Sequence, residues 1–129
     1  MCLTKLKKAY SPPEKVKKTT YAFKVMTVYR NDSNLYFPFR NYVSPSLGDT
    51  IEDNKEYMLK TEDREWLRYY PTGFHVFSKY KDALAYSVTG GLRFTVVVKV
   101  AINNIVAIGK QNGSKTLVVK KMEFIEICV

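Results

Sequence analysis

A single histidine, His75, is the only side chain in this 129-residue chain whose ordinary titration falls near neutrality. As a general base it needs an orienting carboxylate, and Asp82 or Glu126 supplies one if the fold brings it close. Its other role is that of a strand histidine, half-buried and hydrogen-bonded, that positions the turn after Gly73. Cys2 is the next reactive candidate. With the initiator Met removed, its thiol stands beside a free α-amine that can act as the base for its own nucleophile. Lys5, Lys7 and Lys8 nearby favour the thiolate. The plainer role is an ordinary thiol on a flexible arm. Cys2 and Cys128 are the only cysteines and sit near opposite ends, so no disulfide scaffold is built; one bridge joins the termini if the ends meet, and otherwise, as expected, there are two free thiols in a reducing compartment. One histidine and no Cys-x-x-Cys leave no structural zinc pattern. No metal and no cofactor is expected.

Basic and aromatic residues make the binding set. The chain carries 21 Lys+Arg against 12 Asp+Glu, a net +9, with 10 Tyr, 7 Phe and 1 Trp. Tyr29-Arg30, Arg40-Asn41-Tyr42, Arg68-Tyr69-Tyr70 and Lys79-Tyr80-Lys81 interleave cation with ring, a combination that contacts phosphates and stacks bases. Tyrosine with arginine equally marks protein interfaces. The charge is uneven. Residues 1–20 hold Lys5, Lys7, Lys8, Lys15, Lys17 and Lys18 against Glu14 alone, whereas residues 49–65 hold seven acids against three bases. Such opposite patches favour head-to-tail self-association through the arm and segment 49–65.

The elements that must position these residues follow from periodicity. Ser11-Pro12-Pro13 favours extended backbone and denies donors, so residues 1–20 read as a basic extended arm and residues 21–129 as one domain. Leu3, Leu6 and Tyr10 are the residues able to pin the arm. Tyr21–Tyr29 alternates as a strand, Asn31–Asn34 reads as a turn, and Leu35–Phe39 as a short edge strand. Asn54–Tyr70 suits a short strand followed by an irregular stretch. Phe74–Phe77 reads as a strand, with Ser78 as N-cap of a helix at about 78–88 whose apolar stripe is Tyr80, Ala83, Leu84 and Ser87. Leu92–Ile102 is a strand, Asn103-Asn104 turns the chain, and Ile105–Ile108 is a short strand. Asn112-Gly113 signals a hairpin. Lys115–Cys128 is one strand, or two broken near Lys121. Glu123 and Glu126 are three apart, so on a regular strand they face opposite ways. The fold class is α+β: a mostly antiparallel, strand-rich single domain with one helix and a basic N-terminal arm.

Met1-Cys2-Leu3, Tyr36-Phe37-Pro38-Phe39, Gly73-Phe74-His75-Val76-Phe77 and Asp82-Ala83 resemble motifs of small uncharacterised proteins of bacteriophages and large DNA viruses. That resemblance implies a viral or mobile-element origin. The Gly73–Phe77 strand with the following helix also resembles the middle motif of the ADP-ribosyltransferase fold. This second resemblance implies a cleft lined by Arg30, His75, Tyr86 and Glu126, with Glu123 as the other candidate late acid.

The expected function is therefore that of a small viral or phage accessory or virion protein. It acts by binding an anionic partner, nucleic acid or an acidic protein surface. The residues expected to bind are Lys5, Lys7, Lys8, Lys15, Lys17, Lys18, Arg40, Tyr42, Arg68, Tyr69, Lys79 and Lys81. The alternatives are a small ADP-ribosyltransferase-like transferase or hydrolase, and a structural particle component. With no apolar run near the roughly 18 residues of a membrane span and no apolar signal region after the basic start, the expected place is the host cytoplasm or the virion, with no membrane partner.

Overall fold

The computed structural model describes residues 3–29, 32–36, 45–62, 67–89 and 95–128. In chain order the elements are β1 (Lys5–Glu14), β2 (Thr20–Tyr29), β3 (Asp32–Tyr36), β4 (Thr50–Glu52), β5 (Met58–Lys60) and β6 (Tyr69–Pro71). After them come β7 (Phe74–Phe77), the helix α1 (Tyr80–Thr89), β8 (Thr95–Gln111) and β9 (Ser114–Cys128). Among the described residues every strand pairing is antiparallel.

The β8–β9 hairpin organises the rest. Asn112 and Gly113 take φ of 50° and 87°, the left-handed pair that a two-residue type I′ turn needs to match the strand twist. The turn expected at Asn103-Asn104 is absent, and β8 runs straight through it. Asn104 instead adopts φ 57°, which asparagine tolerates better than other side chains, and this changes which face is buried. Ile102 packs on the main core before it, and Ile105 after it. The partner strand changes phase at the same level, from Val119 to Met122 across Lys120 and Lys121.

Two bulges coil the hairpin. Val106 is an extra residue in β8, between the Ile105–Val119 and Ala107–Val118 pairs. Ile125 is an extra residue in β9, between Lys99–Glu126 and Val100–Phe124. Bulges bend a strand and increase its twist. The coil brings β9 round to β7, and β7 reaches β2 through the Phe23–Phe77 pair. The pairings β2–β8–β9–β7–β2 thus return on themselves, a small barrel-like ring. Inside lie Ala22, Met26, Phe74, Val76, Val98, Val100, Leu117, Val119, Met122 and Phe124. Burial of such side chains stabilises by roughly 2 kcal/mol each before entropy is charged.

The helix covers the outside of the ring. Ala83 packs with Val25, Phe77 and Val97, flanked by Tyr80 and Tyr86. The buried stripe is thus Tyr80, Ala83 and Tyr86, not the one expected through Leu84, which is exposed. Ser78 does not cap. Its Oγ is buried without a partner among the described residues, while the Lys79 carbonyl accepts the first helical bonds from Asp82 and Ala83.

Part of the lysine-rich leader, expected to be an arm apart from the domain, belongs to the sheet. β2 covers β8 only as far as Ile102, and β1 pairs with the remaining edge, from Lys5–Lys110 to Glu14–Ile105. Two features attach it. Leu3 is 0% exposed, packed with Tyr70, Val106, Ala107 and Val118. Gly109 offers no side chain, and a Cβ there would collide with the Lys5 carbonyl and stand 2.9 Å from Leu3 Cδ1. The donor-poor Pro12-Pro13 step falls where the β1 register slips, between Ala9 and Glu14.

Candidate anion-binding face

Directly paired residues in an antiparallel sheet project from the same face. On β8, Lys99, Ala101 and Asn103 therefore stand on the side away from Val98, Val100 and Ile102, which fill the ring. Register extends this outer face into rows: Phe23–Lys99–Glu126, Tyr21–Ala101–Glu123–Thr50, and Asn103–Lys121–Glu52. The Ile125 bulge corrects one expectation. Glu123 and Glu126 share this face instead of pointing apart, because the extra residue restores their phase.

Two adjoining cavities lie on it. One, of about 450 Å³, is lined by Phe23, Tyr80, Lys99, Glu126, Ile127 and Cys128. The other, of about 370 Å³, has Lys17, Lys18, Thr20, Asn103, Lys121 and Glu123 in its wall. Tyr21 stands between them, 44% exposed, with Lys99 Nζ 4.4 Å from its ring centroid. Lys99 Nζ also lies 4.0 Å from Glu126 Oε1. Phe23 meets Tyr80 edge-on at 5.8 Å. Four lysines thus face three glutamates, Glu52, Glu123 and Glu126, across a surface that includes a half-open tyrosine ring.

His75 is elsewhere and is 3% exposed, more enclosed than the half-buried position expected. Its Nε2 lies 3.1 Å from the Tyr70 hydroxyl, which accepts the Leu3 N–H at 2.8 Å. Lys24, also buried, donates to the His75 carbonyl at 3.1 Å. His75 is therefore an interior hydrogen-bonding residue that ties β7 to the N-terminal segment. Tyr86 lies against Phe77 at 5.4 Å. Burial, with the Glu62 carboxylate adding to it, holds the Tyr86 hydroxyl above its ordinary pKa. Glu126 is on the outer face, in a cavity that includes neither His75 nor Tyr86. His75, Tyr86 and Glu126, expected to line one cleft, are thus described in three surroundings: against Tyr70, against Phe77 and beside Lys99. Arg30 and Cys2 lie outside the described residues, as do Arg40 and Tyr42.

Of the expected binding residues, Lys5, Lys7, Lys8, Lys15, Lys17, Lys18, Arg68, Tyr69, Lys79 and Lys81 are all exposed. Only Lys17 and Lys18 line the outer cavities. Tyr69 projects from the small β5–β6 ribbon with Met58. Sequence reasoning missed Lys99, Lys121 and Tyr21, whose grouping depends on pairing across strands. In the acidic segment, Asp49 and Asp53 bind their own loops, accepting from the backbone N–H groups of Ser46 and Lys55. Among the described residues no cluster of His, Cys, Asp and Glu could hold a metal, and no helix is long and apolar enough to cross a membrane.

No family model, curated protein or solved structure matches the chain. The binding reading is therefore argued from the geometry of this face.

Proposed function

We propose that the protein binds nucleic acid, in single-stranded form, on the outer face of β2, β8 and β9. The observation that carries this is Tyr21, half open and flanked by Lys99, between cavities edged by Lys17, Lys18 and Lys121. A single strand offers bases that can stack on an exposed ring and phosphates that lysines can neutralise. A duplex keeps its bases inside and would use the lysines alone. The phage and viral resemblance at Gly73–Phe77 and Met1–Leu3 supports an accessory or virion setting for this activity. The transferase reading has less support, since His75 is enclosed and apart from Glu126.

Fluorescence anisotropy with a labelled single-stranded oligonucleotide tests this. Four phosphate contacts give a slope of log K against log salt of about −3. Lys121→Gln should make the slope shallower by about 0.7. Tyr21→Ala should weaken binding by roughly tenfold with little change in slope. Binding that ignores salt, or that shows equal affinity for an acidic peptide, would refute the nucleic-acid reading.

A further inference from the structure

A different cationic group is set by register alone. Lys5 on β1 pairs with Lys110 on β8, and Lys110 pairs with Lys115 on β9. Paired residues share a face, with Cβ atoms about 5 Å apart, so three exposed ammonium groups stand in one row across three strands. None has a carboxylate partner among the described residues. Like charges directly opposite oppose pairing, yet here they sit where β1 joins the hairpin.

The row is not on the outer face described above. Lys110 is two residues from Ile108, and Lys115 two from Leu117, both of which pack on the main core. The row thus continues the core-facing side of the hairpin, past the end of the core. Its next neighbour across β9 is Ser78, whose N–H meets the Lys115 carbonyl at 3.3 Å. The Ser78 Oγ is buried and has no partner among the described residues. Three unpaired cations and a hydroxyl with unused bonding capacity are the complement of an oxyanion. At this end β1 is held by its ladder with β8, by the Thr4 N–H to the Lys110 carbonyl at 2.8 Å, by Asn112 N–H to Thr4 Oγ1 at 3.0 Å, and by the buried Leu3.

We propose that Lys5, Lys110 and Lys115 form a binding site for a multivalent oxyanion of the phosphate class, and that filling it clamps β1 onto the hairpin. An anion among the three ammonium groups turns their mutual repulsion into attraction to a shared centre, so occupancy and docking of β1 favour each other. The site is independent of the outer face, since it uses none of its residues.

The test is thermal unfolding of the full chain with tripolyphosphate at constant ionic strength, together with amide exchange of β1. The anion should raise the Tm by about 5 °C and slow exchange at Leu6 and Lys8. Lys110→Gln and Lys115→Gln should each weaken tripolyphosphate about tenfold. Without anion, both should melt at or above the parent temperature, because a repulsive pair is gone. Lys55→Gln, an exposed lysine in the loop after β4 that lines a cavity with Asn104 and Lys120, should match the parent. An oligonucleotide that also slows β1 exchange identifies nucleic-acid phosphate as a source, whereas protection by tripolyphosphate alone identifies a free polyphosphate. The proposal is overturned if Lys55→Gln loses as much affinity as Lys115→Gln. It also fails if Lys115→Gln keeps the full anion-induced shift, or if β1 exchange ignores the anion.

Discussion

At the residue scale, Tyr70 has an outsized place. Its hydroxyl accepts the Leu3 N–H and meets His75 Nε2, both within the interior. Tyr70→Phe keeps the ring but leaves two buried polar groups to find other partners, a cost of about 2–4 kcal/mol. Urea unfolding measures it, and a cost near zero would show that the bridge does not hold the N-terminal segment. Tyr86 makes a prediction of the other kind. Its folded pKa is raised, so the neutral hydroxyl is favoured in the native state. Its contribution is intact below the unfolded value near 10 and is lost as the pH rises through the folded value. Tyr86→Phe should therefore lose less stability between pH 9 and pH 11 than the parent does. The candidate site was only partly legible at this scale. His75 could be singled out by type, but type does not reveal burial, and here burial decides its role.

At the element scale, pieces with local signals were legible. β2, β7, α1 and the Asn112-Gly113 hairpin follow from alternation, helical periodicity and turn chemistry. β1 was not, because its lysines are solvent-facing and its partner lies about a hundred residues along the chain. From sequence alone, Asn103-Asn104 reads as a turn because asparagine pairs commonly turn. In the structure a left-handed residue inside a strand serves to exchange the buried face instead. Lys110 and Lys115 were recoverable in principle. A two-residue turn at Asn112-Gly113 forces them opposite one another, and only the third member, Lys5, needs long-range pairing. Gly109→Ala is the sharpest test of β1 docking, since the new Cβ meets backbone that cannot rotate away. It should cost roughly 1–3 kcal/mol. Amide exchange of Leu6 and Lys8 should rise with it, and protection equal to the parent would show that β1 accommodates the methyl group.

At the scale of the whole molecule, the ring depends on its shortest contributors. β7 has four residues, yet it bonds to β9 along its length and touches β2 at Phe77. Nearly all its pairing is distant in sequence, which delays the gain from each contact until long loops have closed. Refolding from urea should take milliseconds to seconds, slower than a helical chain of this length, and stopped-flow fluorescence of Trp66 or the tyrosines follows it. The net +9 is distributed accordingly. It reads as two separated lysine groups, one outside β2–β8–β9 and one at the hairpin end, rather than as a uniform cation.

Leu3 also gives the molecule a clock. A protease needs its target chain drawn out of the ladder, and Lys5, Lys7 and Lys8 lie just beyond the buried leucine on a strand that is otherwise solvent-facing. Tryptic cleavage at these lysines therefore counts the departures of Leu3 from its slot. With reclosing fast, the cutting rate reports the free energy of that local opening rather than of global unfolding. Every change that loosens the slot, at Tyr70 or Gly109, should be read out as a faster first cut while the rest of the barrel stays intact.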